Sequence, residues 1–101
     1  MRYLIWIIGL CLISACKQEP SSIALEELTI SEIHQAFQKG DFTALELTEA
    51  YLARIETWDS LTNSISFIHP EARAQAKALD EEFSKTGKLR PIHGIPLIVK
   101  D

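Results

Sequence analysis

The apolar positions change rhythm along this chain, and each rhythm implies an element. Leu4 to Ile13 is solidly apolar behind Arg2, and the polar stretch KQEPSS, Lys17 to Ser22, then breaks the run. From Thr29 the pattern becomes helical. Thr29 and Glu32 stand at capping-box spacing, Ile30, Ile33, Ala36 and Phe37 form a stripe, and Gly40 supplies a stop, which predicts a helix over 30–39. Thr43 and Glu46 repeat the box, and Leu45, Thr48, Leu52 and Ile55 recur at steps of three and four, which predicts a helix over 44–57. Leu47, Tyr51 and Trp58 widen its apolar side, so more than one neighbour should cover it. SISFI, Ser64 to Ile68, alternates small polar residues with β-formers and reads as a short strand. A third helix follows with Pro70 in its first turn, Ala72, Ala76, Leu79 and Phe83 on one face, and Gly87 at its end. Ile95 to Val99 is apolar except for Pro96, the pattern of a strand covered on both faces.

Three amphipathic helices and two strands do not make a finished α/β domain. Two strands alone are not a stable sheet, and a core built from about 85 residues is marginal even when its elements match. The expectation is therefore the N-terminal part of a longer α/β protein. The competing reading is a small helical module with an exposed apolar tail, a feature that invites aggregation.

The N-terminus sets part of the chain apart. A basic start, a short apolar core and the small residues Ser14, Ala15 and Cys16 make a secretory signal, too short to span a bilayer comfortably. The alternative is an uncleaved anchor or core helix. LISAC, Leu12 to Cys16, resembles the lipobox of bacterial lipoproteins, which implies that residues 1–15 are a signal peptide, that Cys16 is the lipid-attachment site, and that residues 16–22 tether an exported body to a bacterial membrane. Cleavage would remove Cys11 and leave Cys16 alone, so no internal disulfide could form. His34, His69 and His93 have no ligand spacing and read as surface or packing residues, with no metal site.

Charge narrows the partners. The chain carries ten basic and fourteen acidic residues; loss of residues 1–15 removes only Arg2 and leaves nine against fourteen, a formal charge of minus five. With no cluster of Lys and Arg, nucleic acid is not an expected partner. Membrane attachment would rest on acyl chains and not on a basic patch.

HGIPLIVKD, His93 to Asp101, closely resembles the lysine-containing motif of the amidase signature family. LTISEIHQAFQKGDFTALELTEAYLARIE, the NSISFI stretch and an alanine-rich helix precede it in that family's order, so the resemblance runs from Ile23 to Asp101. It implies a mixed central sheet covered by helices, with residues 23–101 as the N-terminal part of an amidase domain. It also implies a serine nucleophile, a second serine behind a cis peptide bond, and a lysine that takes and returns protons, with no cofactor. That lysine falls on Lys100, and an amine at the end of a buried strand is costly to keep protonated, which suits a base. Taken by spacing alone, Lys100 is an ordinary strand-end charge guarding an apolar run. Gly94 and Pro96 read as shape residues, Asp101 either as the residue that orders the following turn or as a plain solvated charge, and Arg90 stands where the family often has glycine.

The serines are what this stretch lacks. The only adjacent pair, Ser21 and Ser22, lies in the tether, so the chain is expected to be inactive alone, and a small-molecule amide to be the substrate of the full-length enzyme. One component of a glutamine-dependent amidotransferase that works on charged tRNA is a rival within the family, against which the export signal argues. A non-catalytic lipoprotein module is the rival from another class.

Overall fold

A computed structural model of the chain describes residues 23–100. The expected signal peptide, Cys16, the tether and Asp101 lie outside the described residues. Three helices follow in order: α1 (Ile30–Lys39), α2 (Ala44–Thr62) and α3 (Ala72–Thr86).

Local chemistry starts and stops them. The Thr29 hydroxyl accepts from the Glu32 N–H at 3.2 Å while the Glu32 carboxylate accepts from the Thr29 N–H at 2.8 Å, a complete capping box. Those bonds, from the Thr29 backbone first and its hydroxyl second, hold the Glu32 carboxyl below its ordinary range, so the cap is in place above that range and is lost as pH falls through the lowered value. At the other end Gly40, left-handed at φ 75°, donates to Phe37 at 3.3 Å and Asp41 donates to Ala36 at 3.0 Å, the two bonds of a Schellman motif.

Thr43 and Glu46 form the second box at the start of α2, and α3 adds to it from outside. The Asp80 carboxylate accepts from Ala44 N–H at 2.7 Å and from Leu45 N–H at 2.9 Å. Every orphan donor of α2's first turn is thus bonded, since Leu47 N–H already reaches Thr43 C=O at 3.0 Å. Charge-assisted bonds to half-buried amides are the stronger kind. Asp80→Ala is expected to cost about 1–3 kcal/mol, more than Asp80→Asn, which keeps one acceptor. Urea unfolding of both variants checks the order, and equal losses would mean that the bond asparagine retains contributes nothing.

Ile33 and Phe37 of α1, Ala44 and Leu47 of α2 and Ala76 of α3 form the buried core, with Leu47 fully enclosed. Leu28 and Ile33, like Phe42 and Leu47, stand at hydrophobic-staple spacing around their caps, and all four belong to this cluster. Helices α2 and α3 pack together, joined at their surface by Arg73 and Glu49 at 2.7 Å. That exposed pair contributes little beside the core.

Several expected boundaries are corrected. Helix α2 continues past residue 57 to Thr62, and Asn63, at φ 51°, closes it by donating to Asp59 C=O at 2.7 Å. Trp58, expected on the covered side, is more than half exposed. Pro70 lies ahead of α3, in a turn closed by the Ala72 N–H to His69 C=O bond at 3.1 Å, with the N-cap Glu71 at φ −96° and ψ 7°, the geometry of a type I turn.

The larger correction concerns the strands of the expected α/β architecture. Among the described residues there are helices and no strand. In SISFI the Ser64 and Ile65 N–H groups are taken by the Asp59 carboxylate, at 2.9 and 3.0 Å, and Phe67 is largely exposed. The segment Ile95 to Val99 is likewise unpaired, with Ile98 81% and Val99 86% exposed. A strand exists through its ladder, and these residues offer each other no ladder. No helix among the described residues is long and apolar enough to cross a membrane.

Candidate active site

The segment that carries Lys100 is anchored at its root and free beyond it. Helix α3 ends at Gly87, left-handed at φ 65°, with its N–H bonded to Phe83 C=O at 2.8 Å. The chain then crosses a tight turn over residues 91–94, braced by His93 N–H to Arg90 C=O at 3.0 Å and Ile95 N–H to Ile92 C=O at 3.2 Å. Gly94 has φ 70°, and a Cβ built there would lie 2.9 Å from the Ala44 Cβ and 2.9 Å from the Phe37 ring. Only glycine suits both the angle and the space. Ile95 packs on the core, and from Leu97 onward the side chains face outward.

His93 is 4% exposed and lies between helices. Its Nε2–H donates to Leu79 C=O of α3 at 2.9 Å, its own C=O accepts from His34 Nε2–H of α1 at 3.0 Å, and its ring stands 6.5 Å from that of Phe83. His69 is exposed, and its Nδ1 accepts from Glu71 N–H at 3.2 Å. His34 and His93 thus bond across the helices, and His69 lies at the surface.

Lys100 is exposed and makes no hydrogen bond or ion pair with the described residues. The burial that a lysine base requires is not supplied by these helices. Hollows on the surface of the described residues include one of about 350 Å³ bounded by Leu52, Ile55, Ile68 and Arg73, and one of about 220 Å³ bounded by Leu79, Arg90, Ile92, His93 and Gly94. Neither is lined by Lys100; the second lies beside the root of its segment. Among the described residues no group of three or more His, Cys, Asp or Glu side chains is placed to hold a metal ion.

Sequence reading singles out Lys100 but not the contacts that hold the root of its segment. It takes His93 as a surface or packing residue, and it passes over Asp80, which caps the start of α2 and whose partners lie 35 and 36 positions away with no local spacing to announce them. Gly94 reads as a shape residue in the sequence, but the Ala44 and Phe37 contacts that leave no room for a side chain do not show there.

Fold and site together define a three-helix platform from which a lysine-bearing apolar segment leaves at a fixed point. The Amidase family model matches residues 46–101, from the first turn of α2 through Lys100 and more than half of the chain. The chain belongs to the Amidase family. It is 42% identical over 76 residues to a component protein of the glutamyl-tRNA(Gln) amidotransferase of Streptomyces coelicolor, covering 74% of this chain and 15% of that protein. It is 46% identical over 78 residues to the protein of the same name from Chelativorans sp., covering 76% and 16%, and 42% identical over 81 residues to that from Rhodospirillum rubrum, covering 80% and 16%. The chain thus spans 15 to 16% of the length of these curated relatives. No solved structure matches it.

Proposed function

We propose that residues 23–101 are the N-terminal part of an amidase domain that hydrolyses carboxamide C–N bonds through an acyl-enzyme, with Lys100 as its proton carrier. The observation that carries this reading is the Amidase match, which runs unbroken through HGIPLIVKD to residue 101. The outward-facing Leu97, Ile98 and Val99 fit it, since further strands laid beside them would form the expected α/β sheet and withdraw Lys100 from water. In that setting a neutral Lys100 amine accepts the proton of a serine hydroxyl as its oxygen attacks the amide carbon. It returns the proton to the departing nitrogen, and water then releases the acid. No cofactor enters.

A second reading has support of its own: the similar curated proteins are named as components of an amidotransferase. In that reading the ammonia freed from an amide is passed to glutamyl-tRNA within a larger assembly. LISAC favours the first reading, because a protein exported and lipid-anchored through it would have no access to charged tRNA. The test is one preparation with two measurements. The protein carrying the complete amidase domain should release ammonia from simple carboxamides without tRNA, and mass spectrometry should find the mature N-terminus at a diacylated Cys16. An unmodified Cys16 with tRNA-dependent turnover would establish the amidotransferase reading instead. Acylated Cys16 with no turnover on any amide would leave a non-catalytic lipoprotein.

A further inference from the structure

The root of the Lys100 segment is held by a histidine that carries an unpaired nitrogen. His93 Nε2 lies 2.9 Å from Leu79 C=O, and a carbonyl only accepts, so Nε2 carries a hydrogen and donates it there. The ring's Nδ1 is buried and has no hydrogen-bond partner. A phenylalanine or leucine would fill the same place without an unsatisfied buried nitrogen. The feature an imidazole offers and they do not is the bond to Leu79. Through it and through its backbone, His93 touches each side of the platform: α3 at Leu79, α1 through His34 Nε2–H, and the turn itself at Arg90 C=O. Gly94 then lies against Phe37 of α1 and Ala44 of α2.

We infer that His93 is a positioning residue for Lys100, locking the turn from which the lysine-bearing segment departs. The inference rests on the amidase reading of Lys100, although the clamp itself does not. Lys100 stands six positions beyond Gly94, a lever of about 20 Å when extended. A small rotation at the root is therefore magnified at the amine. Misplacement of a reacting group by about 1 Å can cost about 100-fold in rate.

Three variants separate the bond from the bulk. In His93→Gln the side-chain amide nitrogen can take the place of Nε2 and keep the Leu79 bond; in His93→Asn it stops short; His93→Phe keeps the volume and has no donor. In the protein carrying the complete amidase domain, kcat on a simple carboxamide should fall about 10- to 100-fold in the Asn and Phe variants with KM little changed, while Gln stays within a few-fold of wild type. Hydrogen exchange of the His93 and Ile95 amides, both bonded within the turn, should quicken in Asn and Phe but not in Gln. A Gln variant as impaired as Phe in both measurements, or a Phe variant with full kcat, would overturn the inference. If exchange follows the expected order while wild type hydrolyses no amide, the clamp stands, the amidase reading falls, and the link from His93 to Lys100 falls with it.

Discussion

Lys100→Arg is expected to abolish amide hydrolysis as fully as Lys100→Ala in a chain carrying the complete amidase domain, each lowering kcat/KM by about 100- to 10,000-fold. Alanine would remove the proposed proton carrier outright. Arginine is the more telling substitution, because it keeps the charge and much of the reach of lysine but cannot be deprotonated within a protein. A lysine acting as a base and a lysine acting as a fixed cation therefore respond oppositely. Lys100 is exposed and unpaired with the described residues, so neither change disturbs a contact in the helical platform. Circular dichroism should accordingly be unaltered. The measurement is kcat/KM on a simple carboxamide for wild type and both variants. Wild-type-like turnover by the arginine variant would remove Lys100 from the catalytic machinery.

Gly94→Ala should be the most damaging single methyl in the platform. Its φ of 70° costs an L-residue about 1–2 kcal/mol, and the added Cβ would press on the Ala44 Cβ and the Phe37 ring at 2.9 Å. Both neighbours are buried in the core, so neither can give way easily. Overpacking of this kind adds about 1–3 kcal/mol, a large part of the stability of any small domain. Gly87→Ala is the internal control: φ is 65°, but nothing lies within 4 Å of the added carbon. It should lose only the conformational part. Chemical denaturation of the two variants side by side reads the difference, and equal losses would show that the Gly94 contact is not a constraint.

The parts of this protein written most legibly in its sequence are those whose partners are close by. Thr29 with Glu32 and Thr43 with Glu46 announce two helix starts, and Gly40 and Gly87 two ends, because each interaction spans only a few residues. The apolar pattern misplaces the end of α2 although its cap is also local. The cue there is Asp59 reaching forward to Ser64 and Ile65, which does not show in a stripe that fades after Ile55. The two apolar β-patterns are legible as patterns but not as structure, since a strand forms only against neighbours and the described residues provide none.

By itself, then, the sequence determined the formation of three helices, the two capping boxes, the Gly40 and Gly87 stops, the Ile33 and Phe37 stripe, and the HGIPLIVKD segment that marks the family. Only the tertiary structure decided that Asp80 completes the N-terminus of α2, that Gly94 has no room for a methyl group, and that His93 joins α3 and α1 at the root of the Lys100 segment. The division has a physical cause. Capping and periodicity are set by atoms a turn apart and survive in the order of residues, whereas contacts such as Asp80 with Ala44 or His34 with His93 join positions 36 and 59 apart and exist only once the helices have packed.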